Sequence, residues 1–220
     1  MKHTAYELAR LSFASASEFL KIIKDVREVP AFVREAYSPT RDGVRAFHEA
    51  GDTHVFELAI SAQRALLREL DDLRPHPSVT RRQTTARTNI EMLTTYQTSF
   101  SRPFRPLAGP GPGRFESWSA RVGALEVTGK PHLVVRARNG RLKYVYLLTN
   151  DLLAHRDRDM FAALLAQIVK DNAPEAEYRD LELLDLRDGT RIVIESGLGV
   201  RRRKRIESVT TILRSVLPDE

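Results

Sequence analysis

The sequence predicts an α/β (α+β) fold, with a central mixed sheet flanked by helices and a helical N-terminal half. Two β-hairpin signals predict the sheet. Apolar runs flank Asn139-Gly140, and a second pair of apolar runs flanks Asp188-Gly189. Both dipeptides readily adopt the positive φ angles of tight turns. Apolar residues at steps of three and four predict the surrounding helices.

Helical spacing dominates the first hundred residues. Ser15 to Glu18 can cap a helix, and its apolar positions follow at helical steps: Phe19, Ile22, Ile23 and Val26. The clearest amphipathic helix runs from Val55 to Leu70 and ends before Pro75. Residues 79–98 predict a weaker, threonine-rich helix.

Proline and glycine predict interruptions in this half of the chain. Pro30 begins a short segment that contains Phe32 and Val33, and Ser38 to Gly43 is predicted to form a turn. Residues 101–113 contain four prolines and three glycines, a composition that disfavours both helix and sheet.

These boundaries divide the chain into three parts. A helical region covers residues 1–100, a Pro/Gly-rich connection covers 101–113, and a mixed sheet and helix core covers 114–220. The core is expected to form one compact unit with residues 43–74, because a small sheet needs cover on both faces.

The second half alternates strands and helices. Ala124 to Val127 is predicted to add a third strand to the first hairpin. A helical stripe runs from Met160 to Val169, and the second hairpin follows it. The final helix begins with a basic run and continues from Ile206 to Val216.

Composition predicts a soluble, cytoplasmic protein with no membrane contact, since 42% of residues are hydrophobic and 29% are charged. No segment approaches the roughly 18 to 20 apolar residues of a membrane helix, and the first ten residues lack the apolar core of a signal peptide. The absence of cysteine excludes disulfides, thiolate zinc sites and cysteine catalysis. The formal charge of +6 favours phosphate contacts, although such a charge also serves solubility alone.

Two stretches, Val127 to Val135 and Gly140 to Thr149, resemble the PD-(D/E)XK nuclease superfamily. The closest similarity is to its RecB-like and CRISPR-associated exonuclease branch, over roughly residues 43–200. In that branch Pro-Asp precedes one strand, and the next strand carries an acid, one residue and Lys-Thr. The acids hold a divalent metal beside the scissile phosphate, and the lysine orients or activates water. The resemblance implies a restriction-endonuclease-like central mixed sheet.

The reactive groups of that family are replaced in this chain. His132 follows Pro131 where the metal-binding aspartate would stand, Tyr146 occupies the second acid position, and Leu148 replaces the lysine before Thr149. Magnesium prefers carboxylate oxygens, which none of these side chains provides. The resemblance therefore implies a catalytically inactive member that needs no cofactor.

Relocated residues are the enzymatic alternative. Glu126 or Glu116 would then serve as the acid, and Lys130 or Lys143 as the base, with Glu126 and Lys143 approaching each other on adjacent strands. Mg²⁺ or Mn²⁺ would be required only in that case. Solvated surface charge is the simpler interpretation of these side chains.

The family also carries a metal-binding histidine near the start of a core helix. Gly51 with His54 and Glu57 is a fair match, and Gly43 with His48 is a poorer one. A single histidine at a helix start is more often a cap or a surface residue than a ligand.

The candidate nucleic-acid-binding segment is a run of five cations: Arg201, Arg202, Arg203, Lys204 and Arg205. Cations at a helix start oppose the helix dipole, and phosphate would relieve that repulsion. Two arginine groups could extend one basic face: Arg81, Arg82 and Arg87, and Arg136, Arg138 and Arg141. The alternative is a solvated run, or an intramolecular match to four carboxylates: Glu175, Glu177, Asp180 and Asp185.

Three functional hypotheses follow. The first is a catalytically inactive nuclease-fold protein that binds DNA, or an assembly containing DNA, through basic residues. The second is a metal-dependent DNA nuclease with relocated active-site residues. The third is a protein–protein interaction module without nucleic-acid binding.

Overall fold

Two mixed sheets organise the protein in the computed structural model, which describes residues 2–28, 36–107, 118–149 and 155–216. The helices are α1 (Ala5–Leu11), α2 (Ala16–Glu28), α3 (Ser38–Ala50), α4 (His54–Asp71), α5 (Pro77–Thr95), α6 (His155–Asn172) and α7 (Val200–Val216). A π-helical segment (Tyr96–Phe100) continues α5, and a 3-10 helix spans Tyr178–Asp180. The strands are β1 (Lys2–Thr4), β2 (Phe104–Leu107), β3 (Ser119–Val122), β4 (Leu125–Thr128), β5 (Leu133–Ala137), β6 (Leu142–Leu148), β7 (Leu181–Asp185) and β8 (Arg191–Val193). The predicted α/β (α+β) class, with helices flanking mixed sheets, is confirmed.

The larger sheet has five strands in the order β2-β5-β6-β7-β8. β6 runs parallel to β7 through the intervening α6, and the other neighbours are antiparallel. Each face packs into its own hydrophobic cluster. Tyr146 and Leu183 face the cluster that contains α6, whereas Val145 and Leu184 face the cluster that contains α3, α4 and α5. Burial on both faces explains why β6 reads as a nearly continuous apolar run.

Both predicted hairpin turns are present. Gly140 connects β5 to β6 with a φ of 83°, and Gly189 connects β7 to β8 with a φ of 72°. The Asn139 side-chain oxygen accepts the Arg141 N–H at 3.1 Å, which is the local bond that makes asparagine favourable in turns.

The smaller sheet has the order β1-β4-β3 and corrects one prediction. The strand predicted at Ala124 to Val127 exists as β4, but it does not join the first hairpin. It pairs with β3 through a turn at Gly123, where φ is 61°, and with β1 on its other edge. The pairing with β1 joins distant segments and carries no local signal, whereas the turn at Gly123 is a local signal for the pairing with β3.

The turn predicted at Ser38 to Gly43 is wrong, because α3 begins at Ser38. Proline is well tolerated in the first turn of a helix, and Pro39 occupies that position. Gly43 is required for packing: a Cβ there would lie 2.8 Å from Cδ2 of Leu93 and 3.3 Å from Cβ of Ala59.

The interruption predicted at residues 101–113 is also partly wrong. Phe104–Leu107 forms β2 at the edge of the larger sheet, and an edge strand is where a sheet tolerates a proline such as Pro106. The pairing of β2 with β5 shifts register between Arg105 and Leu107. The rest of this stretch, and the short segment predicted after Pro30, lie outside the described residues.

The remaining predicted helices are confirmed as α2, α4, α5, α6 and α7. One cluster joins Val44, Phe56 and Met92 from the front helices to Leu133 and Val145 of the larger sheet. In the described part of the chain, no helix combines the length and apolarity that crossing a bilayer requires.

Candidate functional site

The β5–β6 hairpin brings together His132 and Tyr146, two of the three residues that the resemblance singled out. His132 immediately precedes β5, and its backbone N–H donates to the Val145 carbonyl at 2.9 Å. The rings of His132 and Tyr146 lie 5.8 Å apart between centroids. Leu148 lies two residues beyond Tyr146 on β6, so both side chains face the same side of the sheet.

His132 is neutral and its tautomer is determined by its neighbour. The Leu147 backbone N–H donates to Nδ1 of His132 at 2.9 Å, so Nδ1 carries the lone pair and Nε2 carries the proton. Burial first, and then the nearby charges of Arg41, Arg45 and Lys130, lower the pKa of His132 to about 3. The neutral imidazole of His132 therefore contributes a hydrogen bond to the end of the sheet and carries no charge.

The side chains of Tyr146 and Leu148 are buried in the hydrophobic core. Tyr146 is 4% exposed and Leu148 is 8% exposed, and the Tyr146 ring meets Phe161 edge-on at 6.4 Å. Burial raises the pKa of Tyr146 well above its ordinary value, and its Oη has no hydrogen-bond partner among the described residues. A protonated phenol and an alkyl chain do not provide the ligands that a hard cation needs.

Three cations, Arg41, Arg45 and Lys130, lie near enough to His132 to lower its pKa. Nη2 of Arg45 donates to the His132 carbonyl oxygen at 3.3 Å. Arg41 lies one helical turn before Arg45 on α3, and Lys130 lies two residues before His132. All three side chains are half-buried. Arg41 and Arg45 are not among the predicted site residues, because the turn predicted at Ser38 to Gly43 hid the helical spacing of four residues between them.

A buried carboxylate lies on the next strand but is already engaged. Asp185 is opposite Leu148 in the β6–β7 register and is 3% exposed. Its Oδ2 lies 3.0 Å from Nη2 of Arg158, and its Oδ1 accepts the Arg187 backbone N–H at 3.1 Å. Within the described residues, no three histidine, aspartate or glutamate side chains are grouped to hold a metal ion.

The relocated pair is not brought together. Glu126 lies on β4 of the smaller sheet and Lys143 lies on β6 of the larger one, so the expected adjacent strands are not adjacent. Nζ of Lys143 lies 3.2 Å from Oε1 of buried Glu182 and donates to the Arg179 carbonyl at 2.6 Å. Lys143 is therefore engaged in an ion pair at the other end of β6. Glu116 lies outside the described residues.

His54 and His48, the two histidines that resembled a family ligand, both bind side-chain or backbone groups of the protein itself. Nδ1 of His54 and Oε2 of Glu57 lie 2.9 Å apart on the surface, where the side chains are 61% and 68% exposed. Gly51 ends α3 with a φ of 69°, which is the left-handed position that favours glycine.

His48 is buried in a polar chain between α3, α5 and β2. It bonds the Arg105 carbonyl through Nδ1 at 3.1 Å and the Tyr96 hydroxyl through Nε2 at 2.7 Å. Since the carbonyl only accepts, His48 donates from Nδ1 and the Tyr96 hydroxyl donates to Nε2. Burial lowers the pKa of His48 to about 4.

The basic run lies in the first turns of α7, and three of its five cations are tied to the protein. Arg202 donates to the Gly197 carbonyl, Arg203 to the Leu198 carbonyl and Arg205 to the Ser12 carbonyl. Arg201 and Lys204 are exposed and form no ion pair with the described residues.

The intramolecular match predicted for this run is not formed. Its four expected partners bind other groups: Glu175 accepts from Tyr144, Glu177 pairs with Arg141 and Arg179, Asp180 pairs with Arg141 and Lys143, and Asp185 pairs with Arg158.

The two arginine groups that could extend the basic run do not form one continuous basic face. Arg141 is bound to Asp180, with Nη2 2.6 Å from Oδ2, and Arg136 donates to the Gly140 carbonyl at 2.8 Å. Arg81, Arg82 and Arg87 are exposed on α5, but at about 100° per residue they point in three directions around the helix. They surround the start of α5 and do not form one face.

Comparisons of the chain with protein-family models, curated proteins and solved structures found no match.

Proposed function

We propose that this protein is a catalytically inactive nuclease-fold protein that binds DNA, or an assembly containing DNA, through basic residues. One observation carries the proposal. The β5–β6 hairpin places His132 against Tyr146, at positions that the resemblance assigns to metal-binding acids, and both side chains are neutral. A site for metal-assisted hydrolysis would need charged oxygen ligands there.

The charge distribution supports a polyanionic partner. The first fourteen residues of α5, 77–90, contain Arg81, Arg82 and Arg87 and no aspartate or glutamate. These guanidinium groups are exposed and form no ion pair with the described residues. Each phosphate neutralised by such a cation releases counterions, so affinity should fall as salt rises.

The test is equilibrium binding of a fluorescein-labelled DNA duplex by the whole protein, followed by anisotropy over a series of salt concentrations. We expect binding that weakens with salt, with a slope near −0.9 for each phosphate contacted. An Arg81→Gln/Arg82→Gln variant should bind more weakly and lower the slope by roughly 2. A Lys21→Gln/Arg121→Gln variant, with the same change of net charge at other exposed sites, is the matched control.

The same duplex should remain uncut when Mg²⁺ or Mn²⁺ is added. Metal-dependent cutting that disappears in Glu126→Ala would replace this proposal with the relocated-nuclease hypothesis. Absence of any DNA affinity at low salt would overturn it in favour of a protein-interaction module.

A further inference from the structure

We infer that a cleft between α3, α4 and α5 binds one unpaired nucleotide, with the base inside the cleft and the phosphate on Arg82. The cleft has a volume of about 250 Å³ and lies on the far side of these helices from none of the positions that the resemblance singled out: its lining comes from the helices and the residues just before α3. The inference deepens the proposed function and rests on it for DNA as the source of the nucleotide. A free nucleotide offers the same chemistry.

Asn89 fastens the start of α3 to α5 and so builds the inner end of the cleft. Its Oδ1 accepts the Thr40 hydroxyl at 2.6 Å, and its Nδ2 donates to the Ala36 carbonyl at 3.1 Å. Asn89 is 1% exposed, whereas Arg82 is exposed at the other end of the lining. Seven residues of helix separate the two by about 10 Å. The cleft therefore extends from an exposed cation to a buried amide.

The lining suits a single heterocyclic base in size and polarity. Drug-sized ligands occupy pockets of roughly 300 Å³ or more, so a cleft of about 250 Å³ takes a smaller group. Pro39, Leu66 and Ala86 give apolar contact from three different helices. The amides of Gln63 and Asn89 provide donors and an acceptor, and the edge of a base presents both kinds of group. That edge is accessible in an unpaired base.

Three polar side chains of the lining are available to a ligand. Those of Gln63, Arg82 and Thr85 form no hydrogen bond or ion pair within the part of the chain that the structure describes. Asn89 uses one N–H of its Nδ2 on Ala36, and the amide carries a second one. A bound base can therefore form hydrogen bonds without displacing any that the protein already makes.

The charge of the lining favours an anion. Arg82 is the charged residue among the described residues of the cleft, and no aspartate or glutamate accompanies it there. Ser38 and Pro39 belong to the first turn of α3, the end of a helix that carries partial positive charge. A guanidinium binds phosphate through two parallel hydrogen bonds. We therefore place the phosphate on Arg82 and expect binding to persist in EDTA.

The first experiment is isothermal titration calorimetry of the whole protein with deoxyadenosine monophosphate and thymidine monophosphate in EDTA. We expect saturable binding of at least one of them. Deoxyribose phosphate, which lacks the base, should bind about tenfold more weakly. Arg82→Gln should also weaken nucleotide binding about tenfold, as expected for losing hydrogen bonds to a charged group. Arg87→Gln removes an exposed cation of the same helix outside the cleft and should bind like the wild type.

Thr85→Leu tests the cleft itself by adding bulk to its lining, and should weaken nucleotide binding at least tenfold. Thr94→Leu is the matched control, because Thr94 is an exposed threonine of the same helix outside the cleft. Gln63→Leu keeps the size of a half-buried side chain and removes its amide, so it provides a second variant if Thr85→Leu does not fold. Equal nucleotide binding by the Thr85→Leu and Thr94→Leu proteins, or no saturable binding by the wild type, would overturn the inference.

A second experiment identifies the source of the nucleotide. A fluorescein-labelled thymidine strand and an abasic strand of equal length carry the same phosphates, and anisotropy measures their binding at one salt concentration. We expect the wild type to bind the abasic strand about tenfold more weakly, and Thr85→Leu to bind the two strands equally.

The outcomes separate this inference from the proposed function. Mononucleotide binding that is lost in Thr85→Leu, by a protein that binds neither strand nor duplex, would support the cleft and overturn the proposed function. Equal binding of the two strands by the wild type, weakened by Arg81→Gln/Arg82→Gln, would overturn the cleft as a site for a base and leave the proposed function standing.

Discussion

Tyr96 and Tyr146 are both buried, but they differ in the hydrogen bonding of their hydroxyl groups. The Tyr96 hydroxyl donates to Nε2 of His48 at 2.7 Å, whereas the Tyr146 hydroxyl has no partner among the described residues. A buried polar group without a hydrogen bond costs about 1–3 kcal/mol. Tyr146 therefore marks a position where the chain tolerates a local cost in stability.

This difference in hydrogen bonding predicts that replacing tyrosine by phenylalanine has opposite effects on the free energy of unfolding at the two positions. Tyr146→Phe removes an unsatisfied hydroxyl, so we expect the free energy of unfolding to stay equal or rise by about 1 kcal/mol. Tyr96→Phe leaves the His48 acceptor unsatisfied and should lower it by about 1–3 kcal/mol. Urea denaturation of the two variants measures both changes. An equal loss in both would show that the Tyr146 hydroxyl has a polar partner, which would weaken the argument for a closed, inactive site.

At the scale of the elements, α3 is positioned by close contact with α4 and α5. Gly43 lets α3 approach Leu93 of α5 and Ala59 of α4. Arg41 and Arg45 are carried by the same helix, so this packing also positions the cations beside His132. The packing of α3 therefore also fixes the contact between Arg45 and the His132 carbonyl.

Gly43→Ala tests that packing. Alanine favours the helix by about 1 kcal/mol over glycine, but its Cβ would lie 2.8 Å from buried Leu93, and such overpacking costs about 1–3 kcal/mol. We expect a net loss of about 1 kcal/mol in the free energy of unfolding. In a Leu93→Ala background the same substitution should become neutral or stabilising, because the clashing methyl group is gone. Denaturant unfolding of the two single variants and the double variant measures this coupling. If the effects of Gly43→Ala and Leu93→Ala on the free energy of unfolding were additive, the close contact between the two residues would be refuted.

Elements with local signals were predictable from the sequence, and contacts between distant segments were not. Gly140 and Gly189 marked the hairpin turns, and apolar spacing marked α4, α6 and α7. β4 pairs with its neighbour β3 through the turn at Gly123, but also with β1, more than 120 positions earlier in the chain. The pairing with β1 leaves no trace in a short window of sequence.

At the candidate site, too, the local contacts were predictable and the contacts between distant segments were not. The resemblance placed His132 and Tyr146 at related positions, and the hairpin brings their rings together. Arg41 and Arg45 reach this place only through the packing of α3. Their position beside His132 could not be read from a segment in which Pro39 and Gly43 favoured a turn.

Two buried neutral histidines, His48 and His132, couple the stability of the protein to pH. His48 has a pKa lowered to about 4 and His132 a pKa lowered to about 3, in both cases chiefly by burial. In the unfolded chain both would titrate near the ordinary value of about 6.5. Between these limits the unfolded state binds more protons than the folded state, so stability falls as pH falls.

The expected free energy of unfolding is steady above about pH 7 and decreases from about pH 6.5 towards pH 4. Each histidine contributes a slope of at most about 1.4 kcal/mol per pH unit. His132→Asn, whose side-chain oxygen can still accept the Leu147 N–H, should remove roughly half of the slope. Tyr146→Phe changes the same site without removing an imidazole and should keep the slope of the wild type. Urea denaturation at a series of pH values measures all three proteins. A His132→Asn slope equal to that of the wild type would mean that the pKa of His132 is not lowered in the folded protein, so that burial does not keep this imidazole neutral.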